Sequence, residues 1–177
     1  IDGSGGQIRK NILLKILDGR ISDLQYTSEN DLAPQSHVTD LSSCTILPPF
    51  VDAHVHLSFS GTVDRETRQK QLHADYDQVR QHIRQNMFDH LTHGVLAVRD
   101  GGDRDGHALQ FKIHDRETMQ SPLTLKVAGK AWHQQGRYGS MLGRHPGGIS
   151  LAAAYSMETD PIDHLKIINS GPNSLTV

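Results

Sequence analysis

The run Ile46-Leu47-Pro48-Pro49-Phe50-Val51-Asp52-Ala53-His54-Val55-His56-Leu57 constrains this chain more than any other segment. An apolar stretch entered through two prolines reads as a short strand running into a core. Successive strand side chains alternate between faces, so His54 and His56 point together while Val51, Ala53, Val55 and Leu57 are free to pack. Two neutral imidazoles converging from one strand suit a zinc-like ion, although such an ion takes further ligands. The spacing alone is weak, because with 12 histidines in 177 residues about one His-x-His arises by chance. The competing reading is a pair of polar residues at a strand end. The setting weighs against it: a buried strand that carries Asp52, His54 and His56 needs partners for all three.

Around this strand the sequence alternates between β and α patterns. Residues 8–17 and 20–26 read as two strands around Asp18-Gly19, a hairpin turn signal. Residues 27–40 are polar and loop-like, and a further short strand leads into Pro48. Leu72, Tyr76, Val79, Ile83, Met87 and Leu91 recur at every third or fourth position, the period of an amphipathic helix, which Gly94 ends. Val95 to Val98 is a continuous apolar strand, residues 105–119 a weaker helix, and Leu123 to Ala128 the next strand. A loop rich in Gly, Arg and Tyr (residues 136–148) precedes a short helix near 150–158 and a strand from His164 to Ile168. This order predicts a parallel sheet with right-handed crossovers. It divides the chain into a β-segment over residues 1–47 and an α/β region over 48–177.

Composition narrows the class. A net charge of −2 without a broad basic block argues against a nucleic-acid partner. No apolar run approaches the length of a membrane span, so no membrane partner is expected. Cys44 stands alone, which excludes an internal disulfide framework and a thiolate zinc cluster. A cytoplasmic location is the expectation.

The segment Leu47 to His56 resembles the first-strand signature of the metal-dependent amidohydrolase superfamily, Leu-Pro-Gly-Phe-(Val/Ile)-Asp-x-His-x-His. Pro49 replaces the usual Gly, a change to a turn and not to a ligand. Three more stretches agree, in the same order. Ile1 to Gly6 with Asn11 to Ile21, containing Asp18-Gly19-Arg20-Ile21, is similar to the family's N-terminal β-segment. His93 to Gly102, with Val98-Arg99-Asp100-Gly101-Gly102, resembles the second barrel strand. Pro161 to Ile168, with His164-Leu165-Lys166-Ile167, resembles the fourth, as found in the prolidase-like and imidazolonepropionase-like branch.

That resemblance implies a partial (β/α)8 TIM barrel of about four βα units, since a complete barrel takes about 250 residues. A small N-terminal β-segment, part of a composite β-sandwich, precedes it. The implied activity is metal-dependent hydrolysis of an amide or other C–N bond. By that resemblance His54 and His56 would hold one divalent metal, zinc being the expected ion, and a carboxylated Lys166 would bridge a pair of ions. The competing reading of Lys166 is a surface or salt-bridged lysine. The family's remaining ligands, two His after strands 5 and 6 and an Asp after strand 8 that serves as catalytic base, are expected beyond residue 177. The chain is therefore expected to be an N-terminal half, inactive alone.

Supporting residues follow from the same strands. Asp52 either orients the His54 imidazole or makes a structural hydrogen bond at the strand start. Arg99 and Asp100 are expected to form an ion pair that shapes the site floor. After strand 3, His133, Arg137 and Tyr138 are candidates for substrate contacts, Arg being suited to a carboxylate. The remaining histidines, His73, His82, His90 and His93 among them, read as mostly solvated. The expected partners are a small-molecule or peptide-like substrate, and either a second copy of the chain or a complementary C-terminal half. The alternative to an enzyme half is a non-catalytic half-barrel that associates through open sheet edges.

Overall fold

The computed structural model describes residues 1–27, 37–115 and 120–169. The chain divides into two compact units, Ile1–Pro48 and Pro49–Val177. In the first, β1 (Ile12–Leu17) and β2 (Arg20–Tyr26) pair antiparallel. Asp18 and Gly19 between them have φ of 50° and 71°, as a two-residue hairpin turn with both central residues left-handed requires. The short strand expected before Pro48 is absent. Cys44 N donates to Leu41 O at 2.8 Å in a turn, and Pro48 and Pro49 have no N–H with which to join a ladder.

In the second unit, β3 (Phe50–Val55), β4 (Val95–Asp100) and β5 (Thr124–Val127) form a parallel sheet in that order. Helices α1 (Arg65–Gln71) and α2 (Tyr76–Thr92) connect β3 to β4, and α3 (His107–His114) lies between β4 and β5. The single periodic helix expected from Leu72 onward begins instead at Tyr76. Asp75 and Gln78 form a reciprocal capping box there, each side chain accepting from the other's backbone N–H. Leu72 closes α1 as its C-cap. Val79, Ile83 and Met87 on α2 and Phe111 on α3 are fully buried with Val98, Leu125 and Val127 of the sheet. Truncating an aromatic side chain of this kind typically costs about 3–5 kcal/mol. This core is the floor on which the site rests.

β3 is more exposed than a core strand. Phe50 and Val51 are 58% and 67% exposed, because β3 has one ladder neighbour, β4, among the described residues. Packing is confined to its far end, at Val55 and Leu57.

A second parallel sheet follows. β6 (Ala131–His133) follows β5 after a break at Ala128-Gly129-Lys130 and pairs with β7 (Gly143–Arg144) and β8 (Ile167–Ile168). The loop expected over 136–148 thus contains a strand. Helix α4 (Leu151–Ser156) starts at Ser150, whose Oγ accepts from Ala153 N at 3.1 Å. The strand expected from His164 shortens to Ile167–Ile168. Upstream, Asp163 N donates to Val127 O at 2.9 Å, and the Asp163 carboxylate accepts Val127 N–H at 2.8 Å. This clamp stands where a ladder would run. The weaker helix expected over 105–119 ends at His114, with residues 116–119 outside the described residues. The architecture is mixed α/β with parallel sheets, and among the described residues no closed barrel is formed. No described helix is long and apolar enough to cross a membrane.

Candidate metal centre

His54 lies on β3, and His56 lies one residue past its end. Their ring centroids are 5.5 Å apart, tilted by 55°. Both rings pass over Gly101, where a Cβ would come within 2.9 Å of His56 Cε1 and 3.3 Å of His54 Cδ2. Only a bare α-carbon leaves that space. Gly101 N donates to Val55 O at 2.6 Å, which fastens the end of β3 to the turn after β4.

His56 is held on a backbone carbonyl, its Nδ1–H donating to Gly102 O at 2.8 Å. Burial pushes its pKa below the ordinary 6.5, and the nearby Lys166 and His54 reinforce that, against the opposing effect of Gly102 O. The ring is therefore neutral near pH 7, with Nε2 carrying the lone pair that a metal needs.

The third group arrives from the far end of the chain. Lys166 Nζ donates to His54 Nε2 at 2.9 Å, and its backbone O accepts Trp132 N–H at 2.9 Å next to β6. His164, two positions earlier, donates from Nε2 to Asp100 O at 3.0 Å. Burial, then the positive charge of Arg99, lowers its pKa. Ala53, His54, Arg99, Gly101, His164 and Lys166 line a cavity of about 140 Å³. A wider cleft of about 360 Å³ runs alongside, bounded by His54, His56, Leu142 and Lys166 with Ile167 to Asn169.

The other expected residues take varied places. Asp52 accepts from the His54 backbone N–H at 3.1 Å, while its second oxygen faces His90 Nε2 at 3.8 Å. It therefore touches the His54 backbone, not the imidazole. Arg99 and Asp100 do not form the expected ion pair. As successive strand residues they point to opposite faces, with Arg99 exposed in the cavity and Asp100 1% exposed beneath it. Asp100 instead accepts Leu57 N–H and Gly102 N–H, each at 2.8 Å. Burial raises its pKa to about 7 despite those two donors.

His133, Arg137 and Tyr138 line neither cavity. His133 is buried in β6, its ring 6.1 Å from that of His145, whereas Arg137 and Tyr138 are exposed. Not every remaining histidine is solvated either: His107 is buried, its Nε2 3.2 Å from Ala74 O. His164 and Gly101 went unrecognised in the sequence. His164 had a signal, since it stands two residues from Lys166 and so shares its side of an extended segment.

The donor chemistry fits part of a divalent-metal site: two adjacent imidazoles, one with its tautomer fixed on a carbonyl, and a lysine amine at the second. Among the described residues no group of three or more His, Cys, Asp or Glu converges in this way.

No family model matches the chain. By sequence, the imidazolonepropionase of Staphylococcus aureus (strain bovine RF122 / ET3-1) is 26% identical over 144 residues, covering 66% of this chain and 34% of that enzyme. The same enzyme from strain Newman is 25% identical over 143 residues. The chain thus spans about a third of the length of the curated relatives it matches. Among solved structures, an uncharacterised protein aligns with a TM-score of 0.62 at 20% identity, over 88% of this chain and 41% of its own. A Xaa-Pro dipeptidase with methionine bound in its active site aligns at 0.55 and 19% identity, over 90% and 40%. A protein described as an amidohydrolase aligns at 0.55 and 18% identity, over 89% and 41%. At these identities the structural likeness speaks for the fold. By sequence and by fold together the chain is similar to proteins of the amidohydrolase superfamily.

Proposed function

We propose that the second unit is the first half of a (β/α)8 hydrolase barrel, and that it carries the first ligands of a metal centre acting on an amide or other C–N bond. The observation that carries this reading is the meeting of Lys166 with His54 across 112 residues, beside His56. Nothing local brings an amine to that imidazole. His54 and His56 would hold the ion through Nε2. Lys166, once its neutral amine has taken up carbon dioxide, would offer a carboxylate-like group from the same point. When bound, a divalent ion such as zinc makes water acidic enough to attack near neutral pH and polarises a carbonyl. The chain's own residues orient the imidazoles over Gly101 and keep His56 neutral, and Arg99 and His164 wall the adjoining cavity. A small-molecule or peptide-like substrate suits a cleft of this size.

The decisive experiment is zinc binding by isothermal titration, with and without bicarbonate, on the parent and on His54→Ala and Lys166→Ala. Expected are weak, sub-stoichiometric binding that bicarbonate strengthens only where Lys166 is present, and no turnover of N-acyl or dipeptide substrates by the chain alone. Binding indifferent to both substitutions would refute the metal reading. Robust turnover by the monomeric chain would refute the half-site reading.

A second reading is favoured by the exposed edge of β3, with Phe50 and Val51 at 58% and 67% exposure. In it, the unit associates through that edge with a second copy or with a complementary half. Analytical ultracentrifugation tests it: a concentration-dependent dimer that the Val51→Lys change abolishes is the expected result.

A further inference from the structure

We propose that Asp100 is a positioning residue that sets the tautomer and orientation of His56. The inference rests on the metal reading of His56 for its consequence, but not for its geometry.

Asp100 has both carboxylate oxygens committed. Oδ2 accepts the N–H of Leu57, the residue after His56, at 2.8 Å. Oδ1 accepts the N–H of Gly102 at 2.8 Å, and Gly102 O accepts the His56 Nδ1–H at 2.8 Å. These bonds close a ring: from the His56 backbone through Leu57 N–H, the Asp100 carboxylate, the Gly102 peptide and back to the imidazole. The carboxylate thus fixes the chain on one side of His56 and the acceptor on the other. With Gly102 O held in place, the proton of a neutral His56 stays on Nδ1 and the Nε2 lone pair faces the cleft. The backbone O of Asp100 takes the His164 Nε2–H at 3.0 Å, which ties the Lys166 segment to the brace.

Few other side chains can do this. The site is 1% exposed, so unpaired polar atoms there are costly. A carboxylate accepts at both oxygens, and two backbone donors meet it. Asparagine would accept one and turn an amine toward the other, leaving two donors opposed. An alanine would free both N–H groups and release the Gly102 carbonyl.

The test is nitrogen-15 NMR of the histidine side chains near pH 8, on the parent and on Asp100→Asn and Asp100→Ala. In the parent, His56 is expected to show a protonated Nδ1 and an unprotonated Nε2. In folded variants it is expected to become a tautomer mixture, while His107, whose Nε2 contacts Ala74 O outside the brace, keeps its pattern. A purely structural role would lower stability and leave the His56 pattern alone. An Nε2-protonated His56 in the parent, or an unaltered pattern in a folded variant, overturns the proposal. Should neither variant fold, hydrogen exchange on the parent decides. The Leu57 and Gly102 amides are expected to exchange slowly and at a common rate, and fast exchange at either one overturns the brace.

Cobalt(II) titration of the same samples separates this inference from the reading it rests on. Affinity lower by about ten-fold or more in Asp100→Asn is expected, as for the loss of a group that orients a ligand. A parent that keeps the His56 tautomer yet binds no metal sinks the metal reading and leaves the brace standing.

Discussion

His56 is half-buried with its Nδ1–H on the Gly102 carbonyl, whereas His54, two positions earlier, is exposed and meets the Lys166 amine through Nε2. The first contact closes between neighbouring strand ends. The second depends on a segment joined to β5 through Asp163 and to β6 through Lys166 O. One imidazole is thus set by the local chain, and the other by how a distant segment is anchored. A functional pair can have one pre-formed member and one conditional member. The conditional one is where substitutions should be felt first.

The largest expected effect removes the contrast altogether. Phe111→Ala empties the core under the sheet and should cost about 3–5 kcal/mol, with both imidazoles losing their distinct environments; urea unfolding with histidine NMR measures it. Gly101→Ala should cost about 1–3 kcal/mol, because its Cβ would sit 2.9 Å from His56 and 3.3 Å from His54. Both rings should shift in the spectrum while the fold persists. Asp163→Ala should sharpen the contrast. It strips the buried Val127 N–H of its acceptor at a cost of about 1–3 kcal/mol, and it should perturb His54 and leave the His56 tautomer unchanged.

The pH response divides along the same line. Burial holds the His56 pKa below 6.5 in the fold, so its contribution to stability is present above pH 6.5 and is lost as pH falls through the lower folded value. Asp100 has the opposite sign. Its pKa rises from 3.8 to about 7 on folding, so its contribution is full below 3.8 and is lost as pH rises through about 7. Urea midpoints across pH should therefore show the parent's advantage over Asp100→Asn shrinking as pH climbs through that window. The smallest effect belongs to Lys166→Ala. It should change stability by no more than about 0.5 kcal/mol, yet abolish any bicarbonate dependence of zinc uptake.

Much of the site was legible because its carriers lie on short, strongly patterned segments. The alternation around His54 and His56, the α2 period ending at Gly94, and the apolar run from Val95 each reflect a side-chain period that the backbone imposes. What escaped depends on long-range geometry. Arg99 and Asp100 look like a pair by sign, but adjacent strand positions face apart. His133, expected among the substrate contacts after strand 3, lies instead in the buried strand β6 that follows the break after β5. His164 was passed over among 12 histidines because its partner is a carbonyl oxygen, which no side-chain motif records.

The span of the Lys166 contact also bears on the order of assembly. The His56–Gly102 bond closes a loop of 46 residues and the Lys166–His54 bond one of 112. Ring closure grows costlier with the logarithm of length, by about 0.8 kcal/mol between these two. The short loop is also drawn shut by α2 packing on β4, whereas the long one waits for every element up to β8. In a refolding jump the His56 environment should become native-like before that of His54, and the candidate centre should be the last part of this chain to assemble.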